Sequence, residues 1–135
     1  MEHKLIDKEA IINKAIKLKH SGYNCAQSVA LAIADLVNGN KEELAKITSG
    51  FGLGMGNMEA TCGALVGAAI MVGLKSNGSG ATPLNKKLSS NFKEKCRSLV
   101  CKEIKGVETK KVLCSCDDCV KNAVTVYLEL METNN

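Results

Sequence analysis

Apolar residues recur at three- and four-residue intervals over most of the chain, and no stretch alternates as a half-buried strand would. Asp7 is a natural cap for a first helix that runs to about His20, with Ala10, Ile11, Ala15 and Leu18 on its apolar face. Ser21-Gly22 breaks that pattern. Tyr23-Asn24-Cys25 opens a second helix to about Val37, striped by Cys25, Val29, Ile33 and Leu36. Asn38-Gly39-Asn40 reads as a turn, and Lys41 to Thr48 as a short third helix.

A fourth apolar block, Thr61 to Leu74, is built largely of small residues. Gly63 and Gly67 lie four apart, as do Ala60, Ala64 and Ala68, so two nearly bare strips invite close packing inside a bundle or between subunits. Asn57 is placed to cap this helix, with Glu59 in its first turn. Lys75 to Pro83 is a Gly/Ser linker. A long helix from about Leu84 to Ile104 follows, with Leu84, Leu88, Phe92, Cys96 and Leu99 inward. Gly106 to Leu113 is a polar excursion over the surface. The last helix reaches about Met131 with Cys116, Val120, Ala123 and Tyr127 on one stripe. The pattern predicts an all-α protein, a single-domain bundle of five or six helices over residues 1–135.

Composition narrows the picture. A 45% hydrophobic content with two Phe, two Tyr and no Trp implies an aliphatic core. The net charge of +4 comes from scattered lysines with no interleaved aromatics, which argues against nucleic-acid binding. The run from Thr61 to Leu74 is shorter than the roughly 20 residues of a membrane span, so no membrane insertion is expected. The charged start, Met1 to Glu9, lacks a signal-peptide core, and the expectation is a cytoplasmic protein. Seven cysteines in a reducing compartment then point to metal binding or redox chemistry rather than to static disulfides.

The cysteines have a shared setting. Glycines at 50, 52, 54 and 56 form a loop ahead of Cys62. Cys25, Cys62 and Cys116 each fall near the start of a predicted helix, where partial positive charge favours the thiolate. Cys101, at the end of the long helix, lacks that help. Helix ends gathered at one pole would bring these four sulfurs together. Cys96 and Cys101, five residues apart, point to different sides. Cys114-x-Cys116-x2-Cys119 signals a metal or an exchangeable disulfide, although only Cys116/Cys119 has the spacing of a zinc knuckle. Ferredoxin spacings and a βαβ context for a thioredoxin site are absent. Gly52-x-Gly54-x-Gly56 is not a dinucleotide fingerprint. His20 either assists a thiol or caps its helix, and Met55, Met58 and Met71 read as packing residues.

Tyr23-Asn24-Cys25-Ala26-Gln27-Ser28-Val29, Cys62-Gly63-Ala64-x-x-Gly67, Ser98-Leu99-x-Cys101-Lys102-Glu103 and Cys116-x3-Val120 together resemble the C_GCAxxG_C_C family of redox-active proteins. The resemblance spans nearly the whole chain. It implies an all-helical redox or metal-binding protein whose four characteristic cysteines are Cys25, Cys62, Cys101 and Cys116, with Cys114 or Cys119 as alternates for the last. Cys96 and two of the late cluster look like additions to the pattern. Family members are often encoded near transporter genes, which implies a link to a transporter. A similar segment in split-Soret-type cytochromes implies an iron–sulfur cluster.

Three functions are compatible with these residues. In the first, four cysteines hold an iron–sulfur cluster or other metal, or cycle between dithiol and disulfide, as an oxidoreductase or electron carrier with an unidentified redox partner protein. In the second, zinc is structural, or soft metals are handed to a transporter, without electron transfer. In the third, the chain is a helical interaction module, and in each case a homo-oligomer is compatible with the small-residue strips.

Overall fold

The computed structural model describes residues 7–133; Met1 to Ile6 of the charged start lie outside the described residues. Seven α-helices follow one another: α1 (Lys8–His20), α2 (Cys25–Ala34), α3 (Lys41–Thr48), α4 (Gly63–Lys75), α5 (Ala81–Cys96), α6 (Cys101–Ile104) and α7 (Cys116–Thr133). The protein is all-α. Among the described residues the only strand-like pairing is an isolated antiparallel bridge between Thr61 and Val100. No described helix is long and apolar enough to cross a membrane.

Local chemistry sets most helix starts. Asp7 caps α1 by accepting from the Ala10 amide at 3.1 Å. Asn24 and Gln27 form a reciprocal capping box, with bonds of 2.8 and 3.0 Å, that places Cys25 as the first residue of α2. Pro83 lies in the first turn of α5, where its missing N–H leaves no bond unmade.

The count is seven rather than five or six because the stretch expected as one helix from Leu84 to Ile104 is two. Arg97 takes a left-handed conformation (φ 71°) that ends α5. The chain then pairs with the segment before α4: the Cys62 amide donates to the Leu99 carbonyl at 2.7 Å, and the Cys101 amide to that of Ala60 at 3.0 Å. Ser98 secures the bend by accepting from the Val100 amide and donating to Glu103. The apolar periodicity runs on through Leu99, so it carried no sign of this break.

Four smaller expectations also shift. Ala10 is exposed, and Ile12 joins Ala15 as a buried residue of α1, because the adjacent pair Ile11-Ile12 leaves the phase of the stripe open. Leu36 is 39% exposed, since the chain tightens into a 3-10 turn at Asp35–Val37 and swings it off the α2 stripe. Asn57 does not cap α4. Its carboxamide accepts from the Glu59 amide within a wide turn over Gly54–Met58, and Cys62 occupies the cap position instead, so Ala60 precedes the helix. Met71 is in the core, but Met55 projects into solvent from that turn.

Helix α2 is the centre of the bundle: from Ser28 to Ala34 every residue is buried, and α1, α3, α4 and α7 pack around it. The α2–α4 contact is the most extensive. A Cβ on Gly67 would collide with the Ala26 carbonyl oxygen, so the small-residue strip is used inside the bundle. Gly67→Ala should therefore destabilise by about 1–3 kcal/mol through overpacking. Gly73→Ala, on the same helix with open space around it, should be neutral or stabilising by up to about 1 kcal/mol. Denaturant unfolding of the two variants checks the contrast.

Candidate metal and redox centre

Three of the four motif cysteines are the first residues of helices, Cys25 of α2, Cys101 of α6 and Cys116 of α7, and Cys62 caps α4. Cys101 thus begins a helical turn instead of ending a long helix. Ser115 starts α7 by accepting from the Asp118 amide at 3.1 Å. Across the same pole, His20 at the end of α1 bonds Asp117 at 2.8 Å, tying two helix ends together rather than meeting a thiol.

Glycines make room for the sulfurs. A Cβ on Gly63 would lie 2.6 Å from the Cys25 sulfur, and one on Gly54 would lie 2.6 Å from the Cys101 Cβ. Asn24 also donates to the Ser49 carbonyl at 2.9 Å, which pins the glycine loop beside Cys25. The result is a cavity of about 160 Å³ lined by Cys25, Cys101, Cys116 and Cys119, with Lys105, Lys19, Asn24 and Leu53. Cys62 is buried next to it, close enough for its charge to act on both Cys25 and Cys101. Lys105, four residues after Cys101, turns its ammonium toward Cys116 and Cys119, 3.8 Å from the latter sulfur.

A second sulfur group adjoins the first. Cys96 at the end of α5, Cys114 before α7 and Cys119 in the first turn of α7 are all buried, and their sulfurs lie within 4.8 Å of one another. The Cys96 and Cys114 sulfurs are 3.3 Å apart, and Asn122 donates to them at 3.3 and 3.6 Å. This group can hold a metal ion. Among the described residues no three of Cys25, Cys62, Cys101 and Cys116 are drawn together as tightly. All seven thiols are free, with no disulfide formed.

Electrostatics separates the thiols by which of them receive hydrogen bonds. Burial pushes Cys25 up, outweighing the Leu53 and Ala26 amides, so its place at a helix start does not make it a thiolate. Burial likewise raises Cys101, and it raises Cys114 to about 11 with help from Cys96. Cys62 is lowered to about 7, chiefly by the Cys119 S–H, against burial and with the Ala64 and Leu65 amides assisting. Cys96 is lowered to about 6, again chiefly by Cys119, with Asn122 and Cys114 assisting. The neighbouring Cys62 and Cys96 sulfurs and burial raise Cys119 itself and keep it protonated, and its S–H reaches the Cys114 carbonyl at 3.8 Å. Burial works against the charge of Lys105, but Cys116, Cys119 and Cys62 around it keep it an ammonium.

The family model described as "Putative redox-active protein (C_GCAxxG_C_C)" matches residues 23–130. The chain belongs to the C_GCAxxG_C_C family. No curated protein and no solved structure matches the chain. The C_GCAxxG_C_C match begins just before Cys25 and ends in α7, so it spans every residue of both sulfur groups. Sequence reasoning left two parts of this pole without a role. Lys105 was detectable as a cation four residues from Cys101. Asn122 was not, because only the fold brings it to Cys96.

Thiolate absorbance of the reduced, metal-free protein should rise in two steps, near pH 6 for Cys96 and near pH 7 for Cys62. Each anion is present above its midpoint and protonated below it. Cys119→Ala removes the donor common to both, so both midpoints should move up toward the ordinary thiol value of about 8.5. Unmoved midpoints would exclude Cys119 as the cause.

Proposed function

We propose that Cys25, Cys62, Cys101 and Cys116 form the one-electron redox centre of this protein and that they hold an iron–sulfur cluster. The observation that carries this reading is the delivery of cysteines from four separate helix starts to the surroundings of one small cavity lined by a half-buried ammonium, Lys105. Thiolates on a cluster leave net negative charge, and Lys105 with the Leu53 amide is placed to offset it. The spread of the sulfurs also favours a cluster over zinc. A single tetrahedral zinc with bonds of about 2.3 Å wants sulfurs about 3.8 Å apart, and these four are more dispersed than that.

When bound, the cluster supplies reversible one-electron chemistry. This chain's own residues do the rest. Gly54 and Gly63 admit two of the ligands, and the apolar packing of α2 and α4 keeps water from Cys62. Lys105 stabilises the more negative, reduced form. A second reading, dithiol/disulfide exchange, is favoured by the lowering of Cys62 to about 7, which raises the share of the thiolate, the form that attacks a disulfide.

Protein purified without oxygen should contain iron and labile sulfide and show visible absorbance that reductant bleaches. Serine at Cys25, Cys62, Cys101 or Cys116 should lose the absorbance, while Cys96→Ser should keep it. Lys105→Met should lower the reduction potential. Colourless protein with stoichiometric zinc and no response to reductant would replace the redox reading with a structural or metal-handling one. Colourless, metal-free protein whose thiol count changes on oxidation would select exchange.

A further inference from the structure

The three buried cysteines outside the four-cysteine centre form a separate constellation with its own supporting residue. Cys96, Cys114 and Cys119 come from the end of α5, the segment before α7 and the first turn of α7. We propose that they form a second, distinct site that binds one soft monovalent d10 ion of the copper(I) class through three sulfurs.

The donor set decides the class of ion. Three sulfurs within 4.8 Å of one another, with no carboxylate or imidazole in the group, are a soft, sulfur-only environment. A hard cation such as magnesium or calcium finds no oxygen ligands there. Coordination number separates the soft ions. Zinc in a structural site takes four ligands, and among the described residues no fourth Cys, His, Asp or Glu ligand atom lies within 4.8 Å of all three. Cys62 meets Cys119, but its sulfur does not fall within 4.8 Å of the whole group. The three cysteines are also largely buried, 0%, 8% and 1% exposed in chain order. A three-coordinate ion is satisfied where a four-coordinate one is not.

The surroundings match a bound anionic thiolate complex. Asn122 offers its carboxamide N–H groups to Cys96 and Cys114, so it acts on the ligands as a hydrogen-bond donor and not as a ligand itself. Lys105 offers its ammonium to Cys119 at 3.8 Å. Binding replaces S–H protons by metal–sulfur bonds: the ion enters, the protons of the ligating thiols leave to solvent, and no electron is transferred.

The test uses the full chain, reduced and metal-free, titrated with copper(I) without oxygen against a colorimetric copper(I) chelator. One equivalent should be withheld from the chelator, with an X-ray absorption spectrum showing three sulfurs and no nitrogen or oxygen. The Cys25→Ser/Cys101→Ser double variant, which disables the proposed redox centre, should still withhold it. Cys96→Ser and Cys114→Ser should release it. Asn122→Ala, a half-buried position whose change should leave the fold intact, should weaken binding by roughly 10–100-fold while leaving the coordination at three sulfurs. The proposal is overturned if the copper(I) is lost in the Cys25/Cys101 variant and kept in the Cys96 and Cys114 variants. It is equally overturned if zinc displaces copper(I) and binds through four sulfurs, or if Cys96 and Cys114 only interchange as a disulfide with no metal withheld.

Discussion

Helices α2 and α4 meet backbone to backbone, and the sulfur-rich pole depends on that contact. Gly67 accepts the Ala26 carbonyl where a side chain would stand, and Gly63 does the same for the Cys25 sulfur and the Phe51 carbonyl. Two consequences follow from one close approach. The cores of both helices are buried by Ala, Val, Ile and Leu, with little need for aromatic bulk. The capped start of α2 is also brought against the start of α4, so Cys25 and Cys62 become neighbours although 37 positions separate them. A larger residue at either glycine would wedge the helices apart and move the two sulfurs with them.

Given that arrangement, the thiols differ because hydrogen-bond donors at the pole are few. Burial alone drives every thiol toward its neutral form. Cys25, Cys101 and Cys114 follow that rule despite helix starts or nearby amides. Cys62 and Cys96 depart from it chiefly through the neighbouring Cys119 thiol, with backbone amides beside Cys62 and Asn122 beside Cys96 assisting. Position at a helix start is therefore the weaker influence here, and a neighbouring S–H is the stronger one. The half-buried ammonium of Lys105 adds a positive charge that no thiol can supply.

The helices were legible where local chemistry writes them. Asp7, the Asn24/Gln27 box and the Lys41–Thr48 block could be read directly, because a cap and an apolar stripe act within a few residues. The break at Arg97 could not. It is imposed by hydrogen bonds from residues 99–101 to a segment almost forty positions earlier, and the stripe through Leu99 gives the opposite signal. The cap of α4 was misplaced at Asn57 for a related reason, since the wide turn after the glycines uses that side chain itself. The motif cysteines could be named from their order along the chain. That Cys96 stands beside Cys114, with Asn122 over both, depends on how α5 crosses α7, and nothing in their spacing encodes it.

The two sulfur groups are not independent pieces of chemistry, because Cys119 belongs to the geometry of both. Its sulfur neighbours Cys62 of the first group and Cys96 of the second, its S–H reaches the Cys114 carbonyl at 3.8 Å, and it lies on the wall of the cavity that holds Lys105. A thiol has one proton to donate. When the second group holds Cys119 as a ligand, Cys62 loses its strongest donor and must rely on the Ala64 and Leu65 amides and on Lys105. When Cys62 is itself tied to a cluster, its need for that donor falls and Cys119 is freer to turn toward Cys96. Occupancy of either group thus changes the hydrogen bonding at the other through a single atom. The extra cysteines of this chain are therefore best understood as a second shell of sulfur that is chemically joined to the first.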